Sequence, residues 1–126
     1  MKSWKKITPE GLHPSSIRWA QDRNPPDENE IAICAEWIRL FCLPSVALYR
    51  KSTSYGLKHV VERWAHNIRG EHQHIYNGAF IEAARREGYR VERADDAPGS
   101  LNAFFNMKFS KAAFPKPEAP KPRPWM

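Results

Sequence analysis

The stretch Asn77-Gly78-Ala79-Phe80-Ile81-Glu82-Ala83-Ala84-Arg85-Arg86-Glu87-Gly88-Tyr89-Arg90-Val91-Glu92-Arg93 changes its hydrophobic period midway, and that change decides the fold class. Phe80, Ala83 and Ala84, flanked by Ile81, recur at helical spacing. Asn77 is a good N-cap, and Gly88 stands where a left-handed C-cap belongs. Beyond Gly88 the period drops to two, with Tyr89 and Val91 alternating with Arg90 and Glu92. After the turn residues Asp95, Asp96, Pro98 and Gly99, a second alternating run begins. It puts Leu101, Ala103, Phe105, Met107 and Phe109 on one face and Phe104 on the other. The pattern predicts a helix followed by a β-hairpin with a loop of about seven residues.

Upstream, two further helices are expected. The first starts after Pro26, where Asp27 stands three residues before Glu30 as an acidic capping box, and Asp27, Glu28 and Glu30 sit where the helix dipole favours negative charge. Its stripe is Ile31, Cys34, Ala35, Ile38, Phe41 and Cys42, and Pro44 marks its end. A linker containing Arg50 and Lys51 follows, and any of Ser52, Thr53 and Ser54 could cap the second helix. Leu57, Val60, Val61, Trp64 and Ala65 form its buried stripe, with Lys58, Glu62 and Arg63 off it. Residues 67–76, polar and His-rich around Gly70, read as a loop. Three helices and a C-terminal hairpin make an α+β domain over residues 27–109, in the order of a winged helix whose third helix reads DNA. Residues 1–26, broken by five Pro and Gly positions from Pro9 to Pro26, read as an irregular arm that packs through Trp4, Ile7, Leu12, Ile17 and Trp19. Residues 110–126 read as a disordered Pro/Lys tail in which Pro115, Pro117, Pro120, Pro122 and Pro124 favour extended polyproline conformation.

The 126 residues leave room for one domain, and an apolar share of 41% supports one modest core. No apolar run reaches the ~20 residues of a membrane span, and no apolar region follows the basic N-terminus. Cys34 and Cys42 fall on one expected helix about 12 Å apart, too far for a disulfide, so reduced thiols and a cytoplasmic setting are expected. The net charge of +6 is uneven. Residues 1–26 carry five bases and two acids (+3), residues 108–126 five and one (+4), and residues 27–107 ten and eleven (−1). Inside the domain, residues 27–49 sum to −3 and residues 50–93 to +4, so only the placement of Arg and Lys in the latter supports nucleic-acid attraction.

Ser54-Tyr55-Gly56-Leu57-Lys58-His59-Val60-Val61-Glu62, Asn77-Gly78-Ala79-Phe80-Ile81-Glu82-Ala83-Ala84 and Asn102-Ala103-Phe104-Phe105-Asn106 together resemble small uncharacterised proteins of bacterial phages and integrative mobile elements. The resemblance spans roughly residues 52–107. It implies a bacterial, cytosolic, mobile-element context and carries no activity with it.

Four kinds of chemistry are weighed against the residues. His59, Glu62 and His66 stand at i, i+3 and i+7, with His72 and His74 after them. That spacing holds the first and last about 10 Å apart, so these read as solvated or hydrogen-bonded histidines and not as a metal site. With no phosphate loop and no nucleophile motif, neither an enzyme nor a cofactor is expected. For nucleic acid, Asn77, Arg85 and Arg86 on the third helix are candidate base contacts. Arg50, Lys51, Lys58, Arg90 and Arg93 are candidate phosphate contacts. This is the leading expectation, against which stand the long connection between the second and third helices and the acids Glu82 and Glu87. The competing expectation is a protein–protein module that inhibits or recruits a host or phage protein. It would act through Phe104, if that strand face is open, or through Arg123 and Trp125 in the basic polyproline tail.

Overall fold

The computed structural model describes residues 4–14, 25–70, 73–97 and 99–114. Helix α1, Glu28–Phe41, starts as its sequence demands: the Asp27 carboxylate accepts from the Glu30 amide at 3.0 Å. It buries Ile31, Cys34, Ala35 and Ile38, and also Ile33 and Trp37. The Trp37 ring is fully buried and lies 5.9–6.4 Å from the rings of Phe41, Phe80, Phe109 and Phe114, which makes it the centre of the aromatic core.

The order of elements differs from the expected run of helices before strands. In the N-terminal segment, expected to be irregular, β1 (Trp4–Thr8) and β2 (Gly11–Pro14) form an antiparallel hairpin. After α1 the supposed linker is strand β3, Cys42–Tyr49, and only then come α2 (Ser54–Arg69) and α3 (Asn77–Arg86). The expected hairpin is present as β4 (Val91–Arg93) and β5 (Ala103–Phe109), with Val91 opposite Phe105 and Arg93 opposite Ala103. It is part of a three-stranded antiparallel sheet in which β5 lies between β3 and β4. The result is an α+β fold with helices and strands interleaved. Pro44 does not exclude a strand, because β3 is at the edge of the sheet, where a missing N–H is tolerated. The register jumps from Pro44 opposite Met107 to Tyr49 opposite Phe105, so β3 arches away from β5 between them. Asn106 braces the arch, donating to the Ser45 carbonyl at 3.1 Å and accepting from the Arg90 amide at 2.7 Å.

Helix α2 buries Leu57, Val61 and Ala65 and runs to Arg69, further than its sequence stripe, before Gly70 closes it at φ 74°. Seven of the ten residues of α3 are buried, so it is the central helix and not an exposed one. Both cysteines are buried free thiols, Cys34 in α1 and Cys42 at the start of β3. Burial raises the Cys34 thiol and pushes Cys42 up to about 12. Among the described residues no helix is long and apolar enough to cross a membrane. The chain past β5 makes a 3-10 turn, Lys111–Ala113, and Phe114 packs on Phe109 with ring centroids 4.9 Å apart.

The β1–β2 hairpin is held to the domain by main-chain bonds. Gly78 N–H donates to the Pro9 carbonyl at 2.9 Å, and Leu12 N–H to the Leu101 carbonyl at 2.9 Å. Gly78 permits the first of these, since any Cβ there would collide with the Thr8 carbonyl oxygen. The obstacle is backbone and cannot rotate away. Gly78→Ala is therefore predicted to destabilise the fold by about 1–3 kcal/mol, the usual cost of overpacking. Urea denaturation monitored by tryptophan fluorescence measures this, and an unchanged midpoint would refute the close approach.

Candidate functional site

The three segments that carry the resemblance meet around one pocket of about 720 Å³. The first turns of α2 contribute Tyr55 and Lys58, the entry to α3 contributes His74, Tyr76 and Asn77, and the loop between β4 and β5 contributes Asp96, Ser100 and Asn102. The β1–β2 turn closes a further side with Pro9 and Glu10. The start of α2 is fixed to the sheet because Ser54 Oγ, fully buried, accepts from the Ala103 amide at 3.0 Å.

Asn77 sits in the wall and is 6% exposed. It is the first residue of α3 and not its cap; the cap position is Tyr76. Its Nδ2 lies within hydrogen-bond distance of the Glu10 carbonyl (3.1 Å), the Leu101 carbonyl (3.3 Å) and Asn102 Oδ1 (3.0 Å), which share its two hydrogens. Three acceptors on one side fix the amide, since the flipped form would set its oxygen against them. Its Oδ1 is left buried with no hydrogen-bond partner. An unmet buried acceptor costs about 1–3 kcal/mol.

Two half-exposed tyrosine rings, Tyr55 and Tyr76, stand in the pocket wall. Each is set edge-on against a histidine: Tyr55 to His59 at 4.7 Å and Tyr76 to His74 at 4.6 Å between centroids. Lys58 is the one Lys or Arg in the lining among the described residues, and it is only 5% exposed. Its ammonium lies 3.3 Å from Glu62 and 5.2 Å from the Tyr55 ring centroid, so its charge is already met. The carboxylates of Glu10 and Asp96 line the same space. Hydrogen bonds from Ser100 and Asn102 hold Asp96 below its ordinary range, so it stays ionised. The pocket wall is thus aromatic and polar, with the ionised Asp96 on one side.

Glu62 ties α2 to the segment leading into α3. It accepts from the Ile75 amide at 2.7 Å and from Lys58, faces His59 Nδ1 at 2.8 Å, and has His74 Nδ1 3.5 Å away. His59, Glu62 and His66 also border a second hollow of about 450 Å³ with Arg63. Among the described residues no group of three or more His, Cys, Asp or Glu side chains could hold a metal ion. His72 lies outside the described residues.

The residues expected to touch nucleic acid are spread over different surroundings. Arg85 and Arg86 both bond Glu82, and Arg86 also makes a bidentate pair with Glu28 at 2.8 and 2.9 Å. Asn77, expected on the outer side of α3, points into the structure because the β1–β2 turn covers the start of that helix. Lys58, expected on the polar face of α2, is buried beside Glu62. Arg93 donates to the carbonyls of Leu12 and Ser100 and supports the pocket wall from behind. Arg50 lies 5.3 Å over the Phe104 ring and 3.9 Å from Asp95, Arg90 is exposed beside Glu92, and Lys51 is exposed. Phe104, considered as an open contact, is only 6% exposed, so it offers no free face. Arg123 and Trp125 lie outside the described residues. Sequence reasoning missed Tyr55, Tyr76, Asp96 and Asn102 as a group. The signal available was that Asn102 begins one resembling segment, Tyr55 is second in another and Tyr76 immediately precedes the third; nothing in the sequence pointed to Asp96.

Burial raises the Glu62 carboxyl, but hydrogen bonds from Ile75, His59 and Lys58 outweigh it, so the net position is below the ordinary 4.5. Its contribution to stability is therefore complete above about pH 4.5 and is lost as pH falls through the lowered folded value. Glu62→Ala is predicted to cost roughly 1–3 kcal/mol at neutral pH and to flatten the acid limb of the stability curve. Thermal melts from pH 3 to pH 7 (a range of about four units) would show it, and an acid limb as steep as in the parent would contradict it.

Comparison of the chain with protein-family models, with curated proteins and with solved structures finds no match.

Proposed function

We propose that the chain is a non-enzymatic protein–protein module, an accessory protein of a bacterial mobile element or phage. In this reading its pocket takes an extended, proline-containing segment of a partner that bears a basic side chain. The observation that carries it is the composition of the pocket wall: two half-exposed tyrosine rings beside the ionised carboxylate of Asp96. Aromatic walls receive proline rings and the stems of long side chains, and extended segments bind at low entropic cost because they are already stiff. The tyrosine faces and the carboxylate of Asp96 favour a cation.

A second reading keeps the nucleic acid, bound through α3 and the β4–β5 hairpin in a winged-helix-like manner. It draws on the exposed Lys51 and Arg90. Its weakness is electrostatic: Glu28 and Glu82 already hold the α3 arginines, and the β1–β2 turn covers the start of the helix. A polyanion also gains little from a pocket in which Lys58 is neutralised by Glu62.

Both readings meet in one experiment. The full chain is titrated into fluorescein-labelled peptides containing Pro-Arg-Pro and Pro-Lys-Pro, and in parallel into labelled duplex and single-stranded oligonucleotides. The proposal predicts saturable peptide binding that weakens about tenfold or more with Tyr55→Ala and Tyr76→Ala, as expected for aromatic anchors. Binding of oligonucleotides alone, weakened steeply by salt and by Arg90→Glu, would replace it with the second reading.

A further inference from the structure

Almost every arginine whose side chain is described is already matched inside the domain. Arg39, Arg50, Arg85, Arg86 and Arg90 each face a carboxylate, and Arg93 donates to two carbonyls. Arg63 is the exception: among the described residues it has no hydrogen-bond or ion-pair partner. It lines the second hollow, of about 450 Å³, with His59, Glu62, His66, Asn67 and Gln73. We propose that this hollow is a binding site for a phosphate monoester. It shares no lining residue with the tyrosine pocket, so the proposal stands apart from the reading of that pocket.

The local fold builds the hollow. His59, Arg63, His66 and Asn67 stand at i, i+4, i+7 and i+8, on one face of α2. Gly70 ends the helix in a left-handed turn, and Glu62 accepts from the Ile75 amide at 2.7 Å. The chain leaving α2 is thereby held against the helix it has just left, and Gln73 in that segment supplies part of the wall. Glu62, the one acid in this lining, is spent on Ile75, Lys58 and His59, so the Arg63 guanidinium sets the sign of the site.

The donors left over fit an oxyanion. Arg63 offers a two-pronged fork, Asn67 and Gln73 each offer an NH₂, and His66 offers a ring N–H. No other described residue engages Asn67, Gln73 or His66. A phosphate monoester carries about 1.5 to 2 negative charges and three acceptor oxygens, and uses such a set more fully than a carboxylate does. The hollow lies within the range of about 300–1,000 Å³ of small-molecule sites, with room for the phosphate and part of the group it esterifies.

The test is an NMR titration of the full chain with inorganic phosphate, with chloride added to hold the ionic strength constant. The proposal predicts saturable shifts at the amides of Arg63, His66, Asn67 and Gln73. Arg63→Gln weakens them about tenfold or more without moving the thermal midpoint, because Arg63 has no structural partner to lose. Arg63→Lys recovers only part of the affinity, since an ammonium lacks the fork. Parallel titrations with a phosphoserine peptide and with glycerol phosphate identify the source by which of the two binds tighter. Shifts that grow linearly without saturating, or that survive Arg63→Gln, overturn the proposal. So does acetate that shifts the same amides as strongly at equal concentration, since the site would then be one for carboxylates.

Discussion

The side-chain amide of Asn77 joins three parts of the chain that are remote in sequence. One NH₂ group reaches the carbonyl of Glu10 in the β1–β2 turn, the carbonyl of Leu101 and the side chain of Asn102. The neighbouring glycine lets the same turn approach the helix backbone closely enough for the Gly78–Pro9 bond. Without these two residues the hairpin turn would lose its bonds at Pro9 and Glu10, which form one side of the pocket. The same amide keeps an acceptor buried and unpaired.

Charge in this domain is used first to hold it together. Glu62 gathers an amide, a lysine and a histidine, and Glu82 takes both arginines at the end of α3. The Arg86–Glu28 pair bridges α3 to the start of α1, and Arg39–Glu87 does the same from the other end of α1. Exposed pairs of this kind contribute little stability each, but they remove cations from the surface that a polyanion would meet. What remains around the pocket is two half-exposed tyrosine rings and the Asp96 carboxylate, the surroundings on which the proposed reading rests.

Helices α1, α2 and α3 and the β4–β5 hairpin were legible because each writes its burial as a period, of 3.6 or of two. Strand β3 was not, because it follows α1 with no turn residues between them, and Pro44 reads as a breaker unless the strand is known to be at an edge. The β1–β2 hairpin was hidden by Pro9, Gly11 and Pro14, although Leu12 was correctly expected to pack on the domain. Asn77 misled for a physical reason. An asparagine at a helix start looks like a cap, and nothing local shows that its partners lie 67, 24 and 25 residues away. Arg86 misled in the same way, since its partner Glu28 is 58 residues upstream. The pocket itself was visible only as segments whose resemblance had no spatial meaning until the chain folded.

The claim that the Asn77 amide seats the hairpin and so forms the pocket is tested most directly by native-state hydrogen exchange on Asn77→Ala beside the parent chain. The amides to follow are Gly78 and Leu12, which donate to Pro9 and Leu101, with Val61 and Ile38 in α2 and α1 as references. The account predicts that protection at Gly78 and Leu12 falls sharply while Val61 and Ile38 keep most of theirs, the signature of a locally opened hairpin. Protection that is unchanged at Gly78 and Leu12, or that falls equally at all four amides, would contradict it.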